Sequence, residues 1–166
     1  MSSYSPPPIP FRSRTTRKRA EVGQGLLSSG YMSGDTPLAR RFLFLRLLRG
    51  SLVLGALYDL GFALLMVAAP EIPARLFGLP LPGETFYLWL LAIFLVMLAT
   101  LYLAAALDPR RHSAIIAVAI GGRFLGGMAF AMATVGRPDL NGLFPVAGAD
   151  FAFACAHALF WLPLRR

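Results

Sequence analysis

Three charged residues lie deep inside hydrophobic segments of this chain: Asp59, Arg123 and Asp150. Their segments, in the same order, span residues 47–69, 113–135 and 143–163. At about 1.5 Å of rise per residue, Asp59 lies roughly 18 Å and Arg123 roughly 15 Å from the start of its segment, and Asp150 lies roughly 20 Å from the end of its own. An ionised group near the bilayer midplane costs on the order of 3 kcal/mol. We therefore expect the three charges to meet at one depth as a buried charge network.

The composition places the chain among membrane proteins. Hydrophobic residues make up 57% of the sequence and charged residues 14%, too apolar a balance for a soluble domain of this length. A fourth apolar segment, residues 86–107, carries no charge. All four segments are long enough to span about 30 Å of hydrocarbon as helices, and none alternates apolar with polar residues as barrel strands do. The prediction is an all-α polytopic protein with a bundle of four transmembrane helices.

The arginines indicate the orientation of these spans. Thirteen basic residues lie before or at the entry of the first span, in the turn at 108–112 and at the C-terminus, against only Arg75 and Arg137 in the other two connections. The positive-inside rule then places both termini in the cytoplasm, and we expect a bacterial inner-membrane protein. The same topology brings the three buried charges to one depth.

Residues 1–36 differ in kind from the four-helix domain expected over residues 37–166. They form a basic tail rich in Pro, Gly and Ser, a composition typical of segments with no core of their own. Its central basic residues are expected to contact a partner protein or anionic lipids: Arg12, Arg14, Arg17, Lys18 and Arg19. Nucleic acid is not expected as a partner, since no folded domain is left to present the charge. Residues 38–46 are expected to lie along the membrane surface before the first span.

Few residues point to catalysis. The single cysteine, Cys155, excludes an internal disulfide and a thiol-based metal cluster. No HExxH motif and no histidine cluster is present. We therefore expect no metal site and name no catalytic residue.

Small residues in the third span suggest close helix packing. Gly122 and Gly126 form a GxxxG pair, and Ala119, Ala129 and Ala133 continue the same stripe. Such stripes let helix backbones approach one another in lipid. The alternative reading is an approach surface for a flat cofactor.

One face of the fourth span combines polar and aromatic residues. Asp150, Ala154, His157 and Trp161 recur at helical spacing. His157 can be read as a ligand of haem or of a chlorophyll-type pigment, as a quinone-binding group or as a proton relay. Its other reading is a hydrogen-bonded packing residue. The charge network has two readings as well: a site for a polar substrate or protons, or a structural ion cluster.

The residues 58–62, 76–80 and 107–111 together resemble motifs of small, four-helix bacterial membrane proteins of the DoxX-like type. The resemblance covers roughly residues 49–164 and implies the same four-helix architecture. It implies no catalytic residues.

Three functions from different classes remain open. The first is a non-catalytic accessory or assembly subunit of a larger inner-membrane complex, such as an energy-converting one, docked through the tail and the bundle. The second is a membrane-embedded enzyme, or a quinone- or pigment-binding protein, that uses His157, Asp150 and Arg123. The third is a small transporter or proton path.

Overall fold

The computed structural model describes residues 37–165, which fold into helices joined by short connections. In chain order these are α1 (Pro37–Ala68), α2 (Glu71–Phe77), α3 (Phe86–Leu107), α4 (Ser113–Ala133), a 3₁₀ helix (Pro138–Leu143), α5 (Phe144–Trp161) and a last 3₁₀ turn (Leu162–Leu164). Within residues 37–165, four helices are long and apolar enough to cross a membrane: α1, α3, α4 and α5. The prediction of an all-α, multi-pass helical protein is confirmed. The predicted tail, residues 1–36, lies outside the described residues.

Helix α1 is longer than the predicted first span. It runs without interruption over 32 residues, so residues 38–46 form its first turns and not a separate surface segment. No proline follows Pro37 within it, and an interior glycine such as Gly50 weakens a helix by only about 1 kcal/mol. A helix of this length is about 48 Å long and exceeds a hydrocarbon layer of about 30 Å. One end of α1 therefore extends beyond that layer.

The four spanning helices associate chiefly as two pairs. Helix α1 packs mainly against α3, and α4 packs mainly against α5; α1 also contacts α5. The buried positions of α1 recur every three or four residues, from Leu48 through Leu52, Ala56 and Asp59 to Ala63, which is the spacing of one helix face. Large apolar side chains on the opposite faces are exposed, as expected of helices that contact lipid.

One end of the bundle collects most of the arginines that lie within residues 37–165. Nη2 of Arg49 in α1 donates a hydrogen bond to the carbonyl of Leu107, the last residue of α3. At the same end, Leu48, Ile116 and Trp161 share one buried cluster. The first half of α1, the α3–α4 turn and the end of α5 thus lie together. We call this the arginine-rich end; its basic residues are Arg40, Arg41, Arg46, Arg49, Arg110, Arg111 and Arg165.

At the opposite end, α2 packs against the 3₁₀ helix 138–143. Two glycines make this approach close. A Cβ atom at Gly78 would collide with the carbonyl oxygen of Asp139, and one at Gly142 would collide with the backbone of Leu76 and Phe77. Gly78 also has a φ of 68°, a conformation that suits glycine. Helix α2 and the 3₁₀ helix, two short elements that hydropathy does not predict, are therefore closely packed at this end.

Candidate functional site: a buried charge cluster

The structure brings the three intramembrane charges into contact. Nη2 of Arg123 lies 2.6 Å from Oδ1 of Asp59, and Nη1 lies 2.7 Å from Oδ1 of Asp150. Nη2 also donates a hydrogen bond of 3.3 Å to the carbonyl oxygen of Gly55. All three charged residues are buried. Burial without pairing would be costly, and the paired geometry offsets much of that cost.

Three aromatic rings surround the same guanidinium group. The Cζ atom of Arg123 lies 5.2 Å from the ring centroid of Tyr58, 5.4 Å from that of Tyr102 and 5.1 Å from that of Phe153. These distances are within the range of cation–π attraction. Tyr58 belongs to α1, Tyr102 to α3 and Phe153 to α5. One side chain of α4 therefore contacts all three other spanning helices.

Local sequence explains how these groups come together. Asp59 and Asp150 lie on the buried faces of α1 and α5, where the neighbouring positions are small. The carbonyl oxygen of Gly55, one turn before Asp59, faces Arg123 and accepts a hydrogen bond from it. Gly126 faces Asp150 closely, because a Cβ atom there would lie 2.9 Å from Oδ2. Small residues thus make room for a large cation between helices.

His157 lies about two helical turns beyond Asp150 on the same face of α5 and is completely buried, with 0% of its surface exposed. Its ring centroid lies 6.1 Å from that of Tyr102 and 6.0 Å from that of Phe153. The backbone of Ser51 is close enough to interact with it, but neither ring nitrogen forms a hydrogen bond of normal geometry. The predicted polar face of α5 is buried in full: Asp150, Ala154, His157 and Trp161.

Four buried polar atoms of this region lack a partner among residues 37–165. They are Oδ2 of Asp59, Nε of Arg123 and both ring nitrogens of His157. Such atoms are uncommon in folded proteins. The Asp59 oxygen and the His157 nitrogens can bind a proton or a small polar group, whereas Nε of Arg123 can only donate a hydrogen bond. Within residues 37–165, no group of three or more His, Cys, Asp or Glu side chains is arranged to hold a metal ion.

The two glycines of the predicted GxxxG pair have different surroundings. Gly126 contacts Asp150, whereas Gly122 is exposed and a Cβ atom there would have no neighbour within 4 Å. The closely packed glycines are instead Gly126 and Gly127. A Cβ atom added at Gly127 would lie 3.1 Å from the carbonyl oxygen of Ala147. Placing Arg123 between two carboxylates fixes the rotation of α4, and this rotation turns Gly122, Ala129 and Ala133 outward. The predicted stripe thus differs from the buried face observed.

Other predicted positions lie apart from the cluster. Cys155 is exposed on α5, and the basic residues 12–19 lie outside the described residues. Sequence reasoning did not identify the three rings or the Gly55 carbonyl. The adjacency of Tyr58 to Asp59 in the sequence was a signal that this ring lies near the charge cluster. Tyr102 offered a weaker one, as one of two phenols, with Tyr87, in an uncharged span.

Comparison with known proteins finds no match: no family model, no curated protein and no solved structure is significantly similar to this chain.

Proposed function

We propose that this chain is a non-catalytic accessory or assembly subunit of a larger inner-membrane protein complex. The observation that carries the proposal is the engagement of the two terminal nitrogens of Arg123 by contacts inside the bundle. Both of its terminal nitrogens are engaged by carboxylates, and three rings cover the group. A charge held in this way stabilises the helix assembly and offers little to a substrate.

The outer surface of the bundle supports the same proposal. Helix α3 has the highest hydropathy of the four spans, and large side chains along it are exposed, among them Tyr87, Leu90, Phe94 and Met97. A shallow apolar groove runs between these side chains. In a complex, we expect this face of α3 to pack against a helix of a neighbouring subunit, and the other exposed faces of the bundle to contact lipid.

The proposed orientation places the arginine-rich end in the cytoplasm of a bacterium. Seven basic residues lie at this end. At the opposite end, Arg137 pairs with Asp139 at 2.9 Å, and Arg75 is accompanied by Glu71 and Glu84. Such asymmetry is the basis of the positive-inside rule. The four-helix architecture is the one that the resemblance to DoxX-like proteins implies. Membership of that group stays a proposal.

The N-terminal tail is proposed as the docking segment. Its composition of Pro, Gly, Ser and Arg supplies no core, and ordering such a chain costs about 1–2 kcal/mol per residue. A partner with an acidic or aromatic-lined cytoplasmic face would offset that cost, with the basic residues 12–19 pairing with carboxylates.

The size of the native particle tests this proposal. Extraction of the full-length chain from its native membrane in mild detergent should give an assembly much larger than 18.0 kDa plus its micelle. A variant that lacks residues 1–34 should leave that assembly while its helix content and melting temperature stay unchanged. A full-length chain that migrates alone, with a protease-sensitive tail, would contradict the proposal.

A second candidate function rests on the unpartnered nitrogens of His157. These nitrogens favour a small polar ligand or a proton relay over a haem or a chlorophyll-type pigment. The imidazole ring of His157 has 0% exposure, so a large planar group has no space beside it. An absorption spectrum of the purified protein tests for a pigment. Quinone binding predicts a quinone in the organic extract that is lost on His157→Phe, with Cys155→Ala as the matched control on the same helix.

A further inference from the structure

A pocket of about 360 Å³ opens at the arginine-rich end, between the start of α1, the α3–α4 turn and the end of α5. Its basic lining residues are Arg41, Arg110 and Arg165, one from each of these three regions. Its volume falls within the range of about 300–1,000 Å³ that is usual for small-molecule sites. Three parts of the chain that are far apart in sequence therefore present their cations to one space.

The rest of the lining is apolar and gives the pocket a second character. Phe42 and Trp161 contribute aromatic surface, and Leu164 contributes aliphatic surface. Phe42 is strongly exposed at 66%, whereas Trp161 is buried at 8%. The Cζ atom of Arg165 lies 4.6 Å from the Trp161 ring centroid, which holds this guanidinium group in place by cation–π attraction.

Among residues 37–165, no anion pairs with the three arginines of the pocket. Within residues 37–165, no carboxylate forms a salt bridge with Arg41, Arg110 or Arg165. The acidic residue of the α3–α4 turn is Asp108. Its Oδ1 atom instead accepts hydrogen bonds of 3.2 Å from the backbone N–H groups of Arg110 and Arg111. Like charges that converge without a counter-ion repel one another, and an external anion would relieve this repulsion.

We infer that this pocket binds the headgroup of an anionic phospholipid. Guanidinium groups suit phosphate oxygens, which accept paired hydrogen bonds from them. The pocket lies where spanning helices end, at the depth of lipid headgroups, and its exposed Phe42 wall provides a path for acyl chains. Basic pockets between transmembrane helices are known to bind phosphate-bearing lipids. The inference is independent of the proposed subunit role, because it concerns a lipid and not a protein partner.

A fluorescence titration tests the inference at the site itself. The chain has two tryptophans, so Trp89→Phe leaves Trp161 as the sole indole reporter. The full-length protein in neutral detergent is titrated with phosphatidylglycerol that carries brominated, quenching acyl chains, and in parallel with brominated phosphatidylcholine. We expect saturable quenching by phosphatidylglycerol and about tenfold weaker binding of phosphatidylcholine.

Two matched variants separate this pocket from general surface charge. The substitutions Arg41→Gln, Arg110→Gln and Arg165→Gln together should weaken phosphatidylglycerol binding about tenfold or more. Replacing Arg40, Arg46 and Arg111 by Gln removes the same charge at the same end outside the pocket and should leave binding within about twofold. Circular dichroism checks the fold of each variant, and Arg110→Gln alone should give a smaller loss if the triple variant unfolds.

Three outcomes would overturn the inference. Equal weakening by both triple variants would assign binding to overall charge. Equal quenching by the two lipids would show that the arginines do not select an anion. Displacement of the lipid by millimolar inorganic phosphate would identify a free-anion site without a role for the apolar wall.

Discussion

Nη2 of Arg123 lies 2.6 Å from Oδ1 of Asp59, although the two residues are 64 positions apart and belong to different helix pairs. The other terminal nitrogen of Arg123 engages Asp150 within the α4–α5 pair. The contact with Asp59 therefore joins the α4–α5 pair to the α1–α3 pair. The bundle thus contains an ion pair that neither helix pair forms by itself.

Replacing Arg123 by Leu should lower the free energy of unfolding by about 3–5 kcal/mol, because it leaves two buried carboxylates without a counter-charge. The measurement is SDS-induced unfolding in mixed micelles, followed by circular dichroism. Arg111→Leu, an exposed arginine in the preceding turn, serves as the control and should change stability by less than about 0.5 kcal/mol.

The two carboxylates should behave differently from the arginine. Asp59→Asn or Asp150→Asn alone leaves Arg123 one carboxylate, so each should cost less than Arg123→Leu. The double substitution leaves the cation unpaired and should cost about as much as Arg123→Leu. Strict additivity of the two single changes would contradict a shared network.

The glycines of α4 give a test of helix packing. Gly126→Ala should destabilise the bundle by about 1–3 kcal/mol, because its Cβ atom must displace Asp150 or the helix. Gly122→Ala faces open space and should be neutral or stabilising by up to about 1 kcal/mol, since alanine favours the helix. If Gly122→Ala is the more damaging of the two in the same unfolding assay, α4 is rotated differently from the structure.

Hydropathy and charge position predict the spans well, since the third helix, Phe86–Leu107, has the bounds expected from its apolar run. The cost of burying charge likewise points to contact among Asp59, Arg123 and Asp150. Rotation about a helix axis is harder to predict, as Gly122 shows, because small residues lie on more than one face of α4. The rings around Arg123 and the close approach of Gly78 to Asp139 depend on contacts between segments that are distant in the sequence. No local sequence pattern predicts such contacts.

The surface pair Arg137–Asp139 gives a pH-dependent prediction. The hydrogen bonds from Arg137 hold the pKa of Asp139 below its ordinary value. A carboxyl with a lowered pKa adds stability above its unfolded-state pKa, and this contribution disappears as the pH falls through the folded-state value. Carbon-13 NMR titration of Asp139 should show a rise in its pKa on Arg137→Gln. Global stability at neutral pH should hardly change, because the pair is exposed. An Asp139 pKa that is the same in both proteins would contradict the pairing.

Cysteine labelling in intact cells tests the topology. In a Cys155→Ala background, cysteines at Leu79 and Asn141 should react with an impermeant maleimide from outside, whereas one at Arg111 should react only after the membrane is opened. Both outside positions are exposed, while the adjacent Leu140 is buried at 7% and suits labelling poorly. Reaction of Arg111→Cys from outside would reverse the proposed orientation.

We propose that Asp59, Arg123 and Asp150 stabilise the bundle through one another and serve no substrate. The most direct measurement compares Arg123→Met alone with the triple variant Asp59→Val, Arg123→Met, Asp150→Val, which removes all three charges at similar volume. Apolar replacement of a complete buried ion cluster is often neutral or stabilising. The triple variant should therefore regain most of the roughly 3–5 kcal/mol lost by the single variant and enter the native assembly at the wild-type level. A triple variant that is as unstable as the single one, or that folds well but fails to assemble, would contradict the account.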